Sequence, residues 1–136
     1  MLVAACGGGG DDGGPEAGNG AERTITIEGV PVNDHGTKEV SGTAELELGD
    51  NYFAPTILVG APGATVKLNL VNNGALEHNI TADIPQVEAV VPLDQDVRSD
   101  GGTASVEVTF PESGDLMFIC KYHEGDGMVG VLRAKP

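Results

Sequence analysis

Residues 65–80 read TVKLNLVNNGALEHNI. Val66, Leu68 and Leu70 alternate with Lys67 and Asn69, the period of two that marks a half-buried strand. The turn signal NNGA at 72–75 follows at once. His78 then stands at the entry to a further strand. A strand, a turn and a side chain able to bind metal sit in one short stretch.

The same texture extends in both directions. TITIEG at 24–29 sets Ile25 and Ile27 against Thr24, Thr26 and Glu28, and AELELGD at 44–50 sets Leu46 and Leu48 against Glu45 and Glu47. SVEVTF at 105–110 sets Val106, Val108 and Phe110 against Glu107 and Thr109. Apolar runs at 56–60, 115–120 and 128–134 add strands without clean alternation, and turn signals at 33–37, 60–64, 99–102, 111–115 and 124–127 separate them. The pattern predicts an all-β sandwich of about seven to eight short strands. Residues 82–98 hold two prolines and predict a long connection or an edge strand.

With 136 residues the chain has room for one domain. Residues 1–5 and 6–22 differ in kind from 23–136, which reads as the domain. The run at 7–20 is mostly glycine with acidic residues, the composition of a flexible tether. Before it stands LVAAC, residues 2–6, which resembles the lipobox of a bacterial lipoprotein, whose cysteine carries lipid. The resemblance implies a lipid anchor on Cys6 and a place in the cell envelope of a prokaryote, outside the cytoplasm. The basic and apolar regions of a signal peptide do not precede it, so residues 1–5 are read as the remnant of one. No run of about 18 apolar residues occurs.

The net charge is −14, from 7 basic and 21 acidic residues. That balance argues against nucleic acid, whose phosphates need clustered Lys and Arg, and favours steering of basic partners. Two cysteines, Cys6 and Cys120, cannot form a disulfide framework. With Cys6 lipidated, Cys120 has no thiol partner in the chain, and a lone thiol in an oxidising compartment calls for something to bind it.

The stretch FICKYHEGDGMVG, residues 118–130, supplies a candidate. Cys120, His123 and Met128 follow the spacing Cys-x2-His-x4-Met in a loop between two apolar strands. Taken singly, Cys120 is a small buried hydrophobe, Met128 is core filler and the histidines are surface groups. Taken together, they are thiolate, imidazole and thioether aimed from one loop. Of the two remaining histidines, His78 follows a turn at a strand entry and is assigned as the distant donor. His35 lies in a polar loop and reads as a solvated histidine. Thiolate with thioether selects copper, and two imidazoles, one thiolate and a weak methionine describe a blue-copper site. Zinc accepts His2Cys but has little use for methionine, and iron–sulfur clusters need more cysteines. A Cys-His nucleophile pair leaves the methionine unexplained.

EHN at 77–79, FICKYHEGDGMVG at 118–130 and the approach at 51–74 resemble the cupredoxins, most nearly the plastocyanin-like small type 1 copper proteins. The resemblance covers about residues 40–136. It implies a Greek-key β-sandwich or barrel, one copper ion on His78, Cys120, His123 and a long axial Met128, and a supporting role for Asn79. In that role the Asn79 backbone N–H points at the ligand sulfur and its side chain ties the two ligand loops together. Ile119 stands where plastocyanins carry a tyrosine implicated in a partner route. The implied function is one-electron transfer between transient redox partner proteins, by a monomer. Copper delivery or storage is the alternative. With only His35 left over, further copper sites cannot be built, and the chain is not expected to be an enzyme.

Overall fold

The computed structural model describes residues 23–85 and 90–136. Cys6 and the tether at 7–20 lie outside the described residues. The described chain forms twelve strand segments and one 3₁₀ turn. An N-terminal hairpin pairs β1 (Arg23–Ile27) with β2 (Val30–Asp34). Behind it come β3 (Thr37–Glu39), β4 (Thr43–Gly49), β5 (Tyr52–Ala54), β6 (Ile57–Gly60) and β7 (Thr65–Asn72). The second half holds β8 (His78–Pro85), β9 (Val90–Val97), β10 (Gly102–Thr109), β11 (Asp115–Ile119) and β12 (Val129–Ala134).

Two sheets face one another. One has the order β10-β7-β4-β5, the other β3-β6-β12-β11-β8-β9. Most pairs are antiparallel, but β4 runs parallel to β7, and β6 runs parallel to both β12 and β3. The architecture is the expected all-β sandwich of the cupredoxin kind. The segments outnumber the seven or eight predicted strands because β2, β3 and β5 carry little alternation in their sequence and β9 holds a proline.

Alternation sets the core. Leu46 and Leu48 of β4, Val66, Leu68 and Leu70 of β7, and Val106 and Val108 of β10 face Ile80, Phe118 and Leu132 across the sandwich. Phe53 and Phe118 meet edge to face, 4.8 Å between ring centres. Gly130 makes room for this arrangement, since a Cβ there would collide with the Phe118 ring.

The six-stranded sheet is also covered on its outer face. Ile27 and Val32 of the hairpin pack with Ile57, Val129 and Val131. Burial on both faces is why residues 128–134 read as a continuous apolar run.

Three sequence readings change here. Asn33 and Asp34 belong to β2 and Thr37 to β3, so the turn predicted at 33–37 narrows to His35 and Gly36. Of the two readings of residues 82–98, the long connection gives way, because β8 runs on to Pro85, while the edge strand holds for β9, a position that tolerates a proline such as Pro92. His35 is not a solvated loop histidine. It is half-buried, stacked on Tyr52 at 3.6 Å and 9°, and its backbone N–H donates to Thr56 Oγ1 at 2.7 Å.

Candidate metal centre

Three elements converge at one end of the sandwich. β8 opens with His78. β11 ends one residue before Cys120, and β12 begins one residue after Met128. Between them His123 precedes the 3₁₀ turn Glu124–Asp126, which Gly127 closes in the left-handed conformation at φ 88°. The loop is pinned at its ends: Cys120 N–H donates to Met128 O at 3.0 Å, and His123 N–H to Cys120 O at 3.0 Å.

The donor atoms meet. His78 Nδ1 and His123 Nδ1 lie 3.2 Å apart. Cys120 Sγ is 3.5 Å from His123 Nδ1 and 4.0 Å from His78 Nδ1. A point equidistant from three atoms so spaced lies about 2.1 Å from each, within the ~2.0–2.3 Å span of metal bonds to nitrogen and sulfur. His78, Cys120 and Met128 are fully buried, and His123 is half-buried. The structure thus brings His78, Cys120 and His123 together, seats Met128 beside Cys120 through the backbone, and leaves His35 outside the group.

Around these donors the polar atoms are spoken for. Burial pushes the Cys120 thiol up, and backbone N–H groups of Tyr122, Asn79 and His123 work against that by bonding the sulfur. Burial pushes His78 down, opposed by its bond to Asp50, where Nε2 and Oδ1 are 2.9 Å apart. The Ala75 N–H and then the His78 ring hold the Asp50 carboxyl below its ordinary range. The side chain of Asn79, in β8, ties β9 to the loop that follows β11. Its Nδ2 donates to Asp94 and Asp96 at 2.7 and 2.8 Å, and its Oδ1 accepts from Lys121 N–H at 3.4 Å.

Sequence reasoning missed three supporting residues. Asn72 is buried and donates to Leu76 O and Val97 O at 2.9 Å each, while its Oδ1 accepts from Gly74 N–H, shaping the loop before His78. Asn33 donates from Nδ2 to Asn51 O at 2.8 Å and Asp126 O at 2.9 Å, and from its backbone to Gly127 O at 3.0 Å. Asp50 is the third. All lie in turn-rich polar stretches, where no periodicity marks a side chain as aimed inward.

An imidazole pair with a thiolate, backed by a buried methionine, suits copper. Fold and donor set together define a small copper-binding β-sandwich. The profile of the family described as copper binding proteins, plastocyanin/azurin family, matches residues 41–135, and the chain belongs to that family. It is 33% identical over 120 residues to the chloroplastic plastocyanin of Chlamydomonas reinhardtii, covering 81% of this chain and 80% of that one. It is 27% identical over 122 residues to the minor chloroplastic plastocyanin of Arabidopsis thaliana, covering 76% and 71%. In fold it is similar to the dithionite-reduced auracyanin of Roseiflexus castenholzii, with TM-score 0.58 at 20% identity, over 71% of this chain and 99% of that one. The copper ion is one, and the centre described here could hold it.

Proposed function

We propose that the chain is a one-electron carrier, with His78, Cys120, His123 and Met128 as the ligands of its copper ion. Copper, when bound, supplies the one-electron couple. One observation carries the reading: two Nδ1 atoms and a sulfur lie within 3.2–4.0 Å of one another on loops already pinned by the sheet. Donors held before binding need little movement when charge changes, which favours fast electron exchange over release of the ion.

His78 is fully buried, whereas His123 is only half-buried. The electron's way in and out is therefore the His123 imidazole. Among the described residues Leu76 and Tyr122 are the exposed large hydrophobics, 45% and 48% accessible, and each stands within two residues of a ligand histidine. They offer a small docking patch for a transient redox partner, of the class that buries under about 1,200 Å². The chain works as a monomer and is not an enzyme. It acts outside the cytoplasm in a prokaryotic cell envelope. Lipid on Cys6 with the glycine-rich tether at 7–22 lets the domain sample the membrane surface. Among the described residues no helix is long and apolar enough to cross a membrane.

Electron self-exchange, measured by NMR line broadening in mixtures of oxidised and reduced protein, tests the carrier role. Fast exchange with copper retained is the expected result. Slow exchange with copper readily lost to a chelator would instead make the chain a delivery or storage protein.

A further inference from the structure

Asp50 sits in the turn between β4 and β5, and nothing in its local sequence points to the copper site. Yet its Oδ1 is 2.9 Å from Nε2 of the fully buried His78. The carboxylate is itself held: Oδ2 accepts from Ala75 N–H at 3.0 Å and Oδ1 from Leu76 N–H at 3.2 Å. Gly74 leaves the space, because a Cβ there would collide with Asp50 Oδ1 and lie 3.0 Å from His78 Nε2. The loop 74–76, which Asn72 also holds, thus leaves room for this contact and bonds the carboxylate that makes it.

We propose that Asp50 is a positioning residue that fixes the ring of His78 and lowers the reduction potential of the copper site. The inference rests on the carrier reading above. A carboxylate accepts only, so Nε2 carries the proton and Nδ1 keeps its lone pair facing Cys120 and His123. A negative charge bonded through the imidazole also favours Cu(II), the more highly charged state, over Cu(I). Asp50 is 41% accessible at its side chain, so solvent screens this charge but does not displace the bond.

The test compares Asp50→Asn with Glu77→Gln. Glu77 is an exposed acid next to His78 in the chain, so its variant removes equal charge without touching the ring. Asp50→Asn is expected to lower the Cu(II) to Cu(I) affinity ratio roughly tenfold, a rise of about 59 mV for one electron. Glu77→Gln is expected to change it less than about twofold. Equal shifts in the two variants, or none in Asp50→Asn, would overturn the proposal while leaving a blue wild-type protein and its carrier role intact. ¹⁵N NMR of the wild-type apoprotein gives a readout that needs neither copper nor a folded variant. The His78 ring is expected in the Nε2–H tautomer alone, and a mixture of tautomers would overturn the assignment.

Discussion

Asn33, on the N-terminal hairpin, donates its side-chain amide to Asp126 O at 2.9 Å, 93 residues along the chain. The same amide reaches Asn51 O, next to Asp50, and the Asn33 backbone N–H reaches Gly127 O. One side chain therefore joins the loop that supports His78 to the loop that carries His123 and Met128. The hairpin lies outside residues 41–135, the part that matches the family. It acts as a brace on a site that the rest of the sandwich builds.

Replacing Asn33 by alanine removes both amide bonds and leaves the 124–127 turn tied to the hairpin only through the Asn33 backbone N–H on Gly127 O. The loss is about 1–3 kcal/mol of stability. Because the turn sets where Met128 enters β12, the variant is also expected to release copper faster and to change the electron paramagnetic resonance spectrum of the Cu(II) form. A lower melting temperature with spectrum and release rate unchanged would reduce Asn33 to a structural bond.

Gly130 offers a test of packing alone. Its missing Cβ is the space into which the Phe118 ring fits. Gly130→Ala must displace that ring within the filled core, with an overpacking cost of about 1–3 kcal/mol. Chemical denaturation should show the midpoint falling with little change in slope. A midpoint equal to wild type would mean that the ring has free room elsewhere.

The apoprotein should lose stability in acid along a specific curve. Burial holds the pKa of His78 below its ordinary 6.5. Below that value the unfolded chain binds a proton that the folded chain resists, so stability is full above pH ~6.5 and declines as pH falls towards the lowered folded value. Denaturation midpoints of the apoprotein from pH 7.5 to 5 check this. His78→Gln should flatten the slope, and a slope that survives the change would assign it to another group.

The fold was legible where one face of a strand meets solvent. Val66, Leu68 and Leu70 declare a strand because Lys67 and Asn69 between them are wet. Val129 and Val131 declare only an apolar run, since the hairpin covers them. Val30 to Asp34 carries a proline and no clean period, so the brace was not visible. At the site, the approach of Cys120 and His123 to His78 was legible because one loop carries the first two and histidines are few. Asp50 and Asn33 act across turns, by contacts that chain distance hides. His35 was misread as solvated because its stacking partner, Tyr52, is seventeen residues away and linked by no local pattern.

The central claim is that Cys120 sulfur binds copper together with the two histidines. The most direct measurement is the visible spectrum of the protein titrated with Cu(II), beside the same titration of Cys120→Ser. An intense band in the orange-red that saturates at one copper per chain and vanishes in Cys120→Ser is the predicted result. A colourless Cu(II) form of the wild-type protein, or a band that survives the serine substitution, would contradict it.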